Sequence, residues 1–473
     1  MAYTPINKST DNFNTKLYSG TGSSLSVTGV GFKPDFTWIK QRTGTTEHLL
    51  FNSIMGATQA LNSNDNTAVD TISNSLTAFG SDGFTVEGNN SSGAGSGSNY
   101  ASWNWLAGGS APTKTYKVVV VSDGGNKYRF RNSTDTATFG TSAVTLDLQE
   151  GGTYTFDVSD STMNSHPFVI GTAANSSEYS TGVTYKLDGV TKTYSEYTSG
   201  FSSATTRQLI FTVPNSAPAL YYWCSVHSGM GGAINTNATH GSSNFDGAIQ
   251  SLVTANTTSG FSIVRWTSNG ANNDGIGHDL GATPKIVMYK RTDGTSSWYI
   301  WLNKVIDDTQ DYLTFDQATK QDIAGTYSQI PTTSIISNFG FGNNNELLAY
   351  CFSDVAGFSK FGSYSGNGDA DGPFIYTGFK PTFVLLKRTD VSGRDWFMLD
   401  SKRDPENEVD LNLYPNQSNA EADSDRVDFY SNGFKQISSS GGNNASGGTF
   451  FYMAFGQSIV GGDTSQNIPA TAR

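Results

Sequence analysis

One punctuated strand occurs three times in this chain. Residues 31–42 read GFKPDFTWIKQR, residues 281–292 read GATPKIVMYKRT and residues 378–389 read GFKPTFVLLKRT. In each, Gly-x-x-Pro makes a turn that feeds four apolar positions, alternating or continuous, and then a lysine: Lys40, Lys290 or Lys387. The flanks repeat as well. Upstream lie the aromatic stretches 13–22, 261–270 and 358–368; downstream lie 47–53, 296–304 and 394–404. Each unit closes on an aromatic run, YASWNW, LLAYCF or FFYMAF. A repeated order of turns and strands of this kind predicts several copies of one antiparallel sandwich.

The copies are unevenly spaced. Pro34 and Pro284 are much farther apart than Pro284 and Pro381, and the excess is enough for one further small sandwich domain. We therefore expect four parts: repeat unit 1 at 1–112, an insert at 113–237, repeat unit 2 at 238–357 and repeat unit 3 at 358–473. The predicted fold class is all-β, with jelly-roll-like antiparallel sandwiches and one Greek-key sandwich inserted. Abundant Gly, with Ser, Thr and Asn between short apolar runs, agrees with that reading. Two stretches, 67–79 and 309–323, could each hold a short helix. Trp103, Trp105, Trp298, Trp301 and Trp396 sit in alternating strands and are expected in the core.

Charge narrows the partners. Twenty-nine basic against 41 acidic residues give a net charge of −12, and no basic run occurs. Such a surface is poorly suited to nucleic acid or anionic lipid. No apolar run is long enough to span a membrane, and the N-terminus MAYTPINKST has no signal-peptide pattern. Neither membrane insertion nor Sec export is expected. The two cysteines, Cys224 and Cys351, are read as thiols.

The insert carries the chemistry. YYWCSVHSGM (221–230) places Cys224, His227 and Met230 on one short loop after an aromatic strand, and MNSHPFVIG puts His166 at the start of an earlier strand. Thiolate, imidazole and thioether are soft or borderline donors that suit copper. This segment resembles the cupredoxin family, whose type 1 sites take one early His and then Cys, His and Met from a late loop. The resemblance implies His166, Cys224 and His227 as equatorial ligands and Met230 as a weak axial one. The alternative is a metal-free sandwich in which these side chains only pack. His48, His240 and His278, isolated among loop residues, are expected to be solvated.

Outside the insert, the GFKP segments, GGTFFYMAFG and the terminal NIPATAR resemble virion proteins of tailed phages of marine bacteria, of the kind described as tail fibre or concanavalin-like lectin proteins. That resemblance implies a structural protein of the particle surface, made in the host cytoplasm: a tail fibre, an adhesin or a capsid decoration. Its implied partners are other virion proteins and a host surface, including glycans, with a homo-oligomer, commonly a trimer, as the assembly. A copper redox protein and a carbohydrate-active enzyme are the alternatives. For the latter, the acidic stretches 401–410, 421–428 and 305–311 have no counterparts across the units and are read as solvated loops, so no enzyme is expected.

Overall fold

The computed structural model describes residues 4–458 except 91, 109–110, 137–138, 238–240, 316–319 and 324–330. The chain is all-β, as expected, and its strands form sandwiches. Among the described residues no helix is long and apolar enough to cross a membrane. Among their described residues, the two stretches with helical potential contain strands, at Asp70–Thr71, Leu76–Gly80, Gln310–Thr314 and Gln321–Asp322, and residues 316–319 of the second lie outside the description. Threonine and aromatic residues in pairing distance of a neighbouring strand outweigh weak helical periodicity there.

Each repeat builds an inner sheet on one plan. In the first, Phe13–Ser19 pairs with the closing strand Asn99–Trp105, which pairs with Phe36–Gln41, which pairs with Leu49–Asn52. The same order recurs as Phe261–Asn269, Asn343–Phe352, Ile286–Arg291 and Tyr299–Asn303, and as Ser359–Ser365, Thr449–Gln457, Lys380–Arg388 and Trp396–Asp400. The register puts Trp105, Phe352 and Phe455 at equivalent positions, opposite Phe36, Ile286 and Phe383.

The continuous apolar runs after Gly-x-x-Pro have a direct cause: both faces of these strands are covered. Phe36 and Trp38, Ile286 and Met288, and Phe383 and Leu385 all enter one core shared by the three repeats. Their neighbours Ile39, Val287, Tyr289, Val384 and Leu386 point the other way, into a separate core between each inner sheet and its own outer sheet. Strand alternation alone assigns each residue to one side or the other. All five tryptophans expected in the core are buried.

The repeats close into a ring. Glu421 N–H donates to the Arg42 carbonyl at 2.8 Å, Val69 N–H to Thr292 at 2.9 Å and Lys320 N–H to Thr389 at 2.9 Å, so each repeat bonds the next and the third returns to the first. Equivalent rings repeat the pattern. Trp298 Nε1 donates to the Asn62 carbonyl (2.7 Å) and Trp396 Nε1 to Thr314 (3.3 Å). At the third such position stands the buried His48, whose Nε2 makes no hydrogen bond among the described residues. Across the shared core, Asn52 Nδ2 donates to the Tyr350 hydroxyl (3.1 Å) and Trp103 Nε1 to Asp400 Oδ2 (3.0 Å).

The three repeat lysines are buried. Lys40 donates to the Gln41 and Gly44 carbonyls and, across the repeat boundary, to Ser418 at 3.2 Å. Lys290 caps the Ser296 carbonyl and Lys387 that of Arg394. Burial draws the Lys40 and Lys387 ammonium groups down to about 8, against the opposing pull of Glu47 and Asp395. A folded-state value below the unfolded one means that the unfolded chain holds more protons between pH 8 and 10, so stability rises with pH there. Denaturant midpoints should accordingly rise over that window in the wild-type chain relative to a Lys40→Met/Lys387→Met variant; a constant difference contradicts this.

The insert is a separate two-sheet sandwich with its own core. One sheet runs Asn126–Asn132, Thr113–Ser122, Thr153–Asp157, Arg207–Thr212, Val183–Leu187 and Val190–Lys192; the other runs Leu146–Gln149, Gly232–Asn237, Leu220–Cys224, Phe168–Ala173 and Ser176–Glu178. Two of its pairings are parallel. A seven-residue helix, Tyr194–Gly200, is started by a capping box between Thr193 and Glu196. The insert does not end at residue 237. Phe245, on the returning chain, sits in its core, stacked on Phe130 at 5.3 Å and packed on Phe139 at 4.9 Å. Tyr116 donates to the Ser243 carbonyl (2.6 Å), and Lys114 pairs with Asp279 of the second repeat. Phe245→Ala should cost the insert about 3 kcal/mol or more, and a 113–237 fragment should melt well below one ending at 246, as calorimetry would show.

Candidate metal centre

The site forms where the strand Leu220–Cys224 ends against Phe168–Ala173. Cys224 and Phe168 are direct partners, and Ser225 N–H donates to the Pro167 carbonyl at 3.1 Å, so the chain leaving Cys224 runs beside His166. His166 is held from behind. Its N–H donates to the Met163 carbonyl (2.8 Å) and its carbonyl accepts from the Tyr128 hydroxyl (2.9 Å). The buried Arg207 pins the preceding turn through Asn164 Oδ1 and the Ser159 and Asp160 carbonyls.

The loop from Cys224 to Met230 turns at Gly229, whose φ of +73° lies in the left-handed region. Gly229 N–H donates to Asn175 Oδ1 (2.8 Å), and Lys127 caps its carbonyl. At Gly231 a Cβ would fall 1.7 Å from the Tyr222 carbonyl oxygen, so only glycine lets the loop rejoin the sheet. Met230 is buried in the same core as Cys224.

The sulfur of Cys224 lies 3.9 Å from His166 Nδ1 and 3.7 Å from His227 Nδ1. All three ligand atoms lie within 4.8 Å of one another. A thiolate and an imidazole sharing one ion, with bonds of about 2.3 and 2.0 Å near 120°, stand about 3.7 Å apart. The two sulfur–nitrogen distances therefore fit a single ion, and the two imidazoles must draw together to share it. Cys224 is 2% exposed and His166 9%, while His227 is exposed, so the cluster is open to solvent on one edge only. Burial, then the neighbouring His227, lowers the His166 pKa and favours the neutral ring that ligates. Two imidazoles and a thiolate, with a buried thioether close in sequence, form a donor set suited to copper.

The other titratable groups take different roles. His48 and His278, expected to be solvated, are fully buried. Trp38 Nε1 donates to His48 Nδ1 at 2.9 Å; His278 Nδ1 accepts from Leu280 N–H and its Nε2 meets the Thr332 carbonyl. Burial pushes both pKa values down. They are core groups whose polar atoms are met by neighbours no sequence window displays. His240 lies outside the described residues. Cys351 is buried and free, its thiol pushed up to about 12 by burial.

The acidic stretches are not simply solvated either. Glu421 forms a two-pronged pair with Arg42, and Arg403 bridges Asp400 and Glu421. Asp307 is held at about 2, first by Lys320. These carboxylates tie repeats and loops together. Tyr128 and Arg207, which hold the site, had no sequence signal beyond their place in alternating strands.

A family model described as Domain of unknown function (DUF7483) matches residues 8–127 and 233–458. The part left out, 128–232, is the insert without its first strand, Thr113–Ser122, and nearly all of its last, Gly232–Asn237, so the match takes in the three-repeat body and both ends of the insert. No curated protein and no solved structure is similar enough to this chain to count as a match. Replacing Cys224 by Ser, or His227 by Ala, should weaken Cu(II) binding at least about tenfold, whereas Cys351→Ser should leave it unchanged; competition titration against a chelator checks all three.

Proposed function

From the premise that this chain belongs to the DUF7483 family, we propose that it is a structural protein of a phage particle surface whose inserted sandwich binds one copper ion. The observation that carries the copper half is the gathering of one donor atom each from His166, Cys224 and His227 within 4.8 Å of one another. A copper ion held by such donors can pass between its two common oxidation states. The chain's own residues do the rest. Burial of Cys224 and His166 limits the access of water, and the turn at Gly229 lets the chain after His227 rejoin the core, where Met230 is buried.

Support for the structural half comes from the body. Three sandwiches closed on one core make a stiff mount, and the resemblance of its GFKP strands to phage virion proteins gives the setting. Bonds between repeats leave fewer free strand edges for unwanted pairing. One observation favours a redox role as a second reading: His227 is exposed and Val226 beside it is 63% exposed, giving the centre an apolar edge at the surface.

Two measurements test the proposal. Cu(II) added to the full chain should give one equivalent bound and an intense visible thiolate-to-copper band that Cys224→Ser abolishes. Mass spectrometry of purified particles should find the chain in fixed ratio to the major capsid protein. A colourless chain with no bound copper removes the first half, and particles lacking the chain remove the second.

A further inference from the structure

Tyr128 bonds both segments that make the centre, the one holding His166 and the loop from Cys224 to Met230. It is fully buried on the strand Asn126–Asn132, in the sheet opposite Cys224, and its ring packs on Phe168 at 5.3 Å and Tyr222 at 6.4 Å. Its hydroxyl donates to the His166 carbonyl (2.9 Å), and its N–H donates to the Met230 carbonyl (2.9 Å). Next along the strand, Lys127 caps the Gly229 carbonyl. One residue of one sheet thus reaches the early histidine and the end of the loop carried by the other.

We propose that Tyr128 is the positioning residue of the His166, Cys224 and His227 centre: it fixes the segment that carries His166 against the end of the loop from Cys224 to Met230 before an ion arrives. The part concerning copper rests on the metal reading above.

The test compares Tyr128→Phe, which removes one oxygen atom, with Tyr116→Phe, which removes a hydroxyl of the same core bonded to Ser243 rather than to a ligand segment. In the full chain with Cu(II), Tyr128→Phe should weaken binding about tenfold, and Tyr116→Phe should leave it unchanged. An unchanged affinity in Tyr128→Phe overturns the inference while leaving the copper reading intact.

A second measurement needs no metal. In the copper-free chain, hydrogen exchange at residues 166–168 and 225–231 should quicken about tenfold in Tyr128→Phe, as expected for one lost buried hydrogen bond, with the rest of the insert unchanged. Unchanged exchange overturns the inference whether or not copper binds. Exchange that quickens throughout the insert, or a variant that fails to fold, also overturns it, because the residue would then serve the core as a whole rather than the site.

Discussion

The structure depends on strands that are apolar on both faces. A strand such as FTWIKQ cannot present one side to water, so each inner sheet needs a cover on each side. A small outer sheet covers one side. The other two repeats cover the second, and a closed set of three is the arrangement in which every inner sheet is covered at once. Phe36 stacked on Tyr350 at 4.3 Å and Phe13 stacked on Phe455 at 5.1 Å show how directly the repeats rely on each other's rings. Sealing the core also explains the buried lysines. An ammonium at the end of each such strand must be met by carbonyls, and it pins the following loop where the next repeat docks.

The insert obeys the same rule on a smaller scale. Its core is completed by Phe245, a residue that lies past its own last strand and leads into the second repeat. Gly247 and Gly277 lie so close to the backbone and side chains crossing them that a Cβ would clash within 2 Å. The returning chain is therefore pressed against the second repeat, and the sandwich is fastened to the body through packed side chains rather than a free linker. A ligand that steadies the insert acts on something mechanically joined to the body.

Much of this was legible in the residues. Gly-x-x-Pro followed by four apolar positions located the inner strand of each repeat, and the unequal spacing of Pro34, Pro284 and Pro381 located the insert. Donor chemistry singled out Cys224, His227 and Met230 on one loop, and the cupredoxin resemblance added His166; the fold brings His166, Cys224 and His227 together. The failures share one cause: a window of sequence shows what precedes and follows a residue, not what crosses it. His48 and His278 read as solvated because their neighbours are polar, yet Trp38 and Leu280 supply their partners. Glu421 read as a loop carboxylate because Arg42 is at the other end of the chain. The helix Tyr194–Gly200 did have a local signal, the Thr193 and Glu196 capping box, but it is too short to show a clear period.

The central claim is that this body carries a built copper centre at one end of its inserted sandwich. Anomalous diffraction at the copper edge from crystals of the full chain grown with one equivalent of Cu(II) tests it most directly. The account predicts one strong peak between Cys224 Sγ and the Nδ1 atoms of His166 and His227. No peak there, or copper scattered over surface carboxylates and histidines, would contradict it.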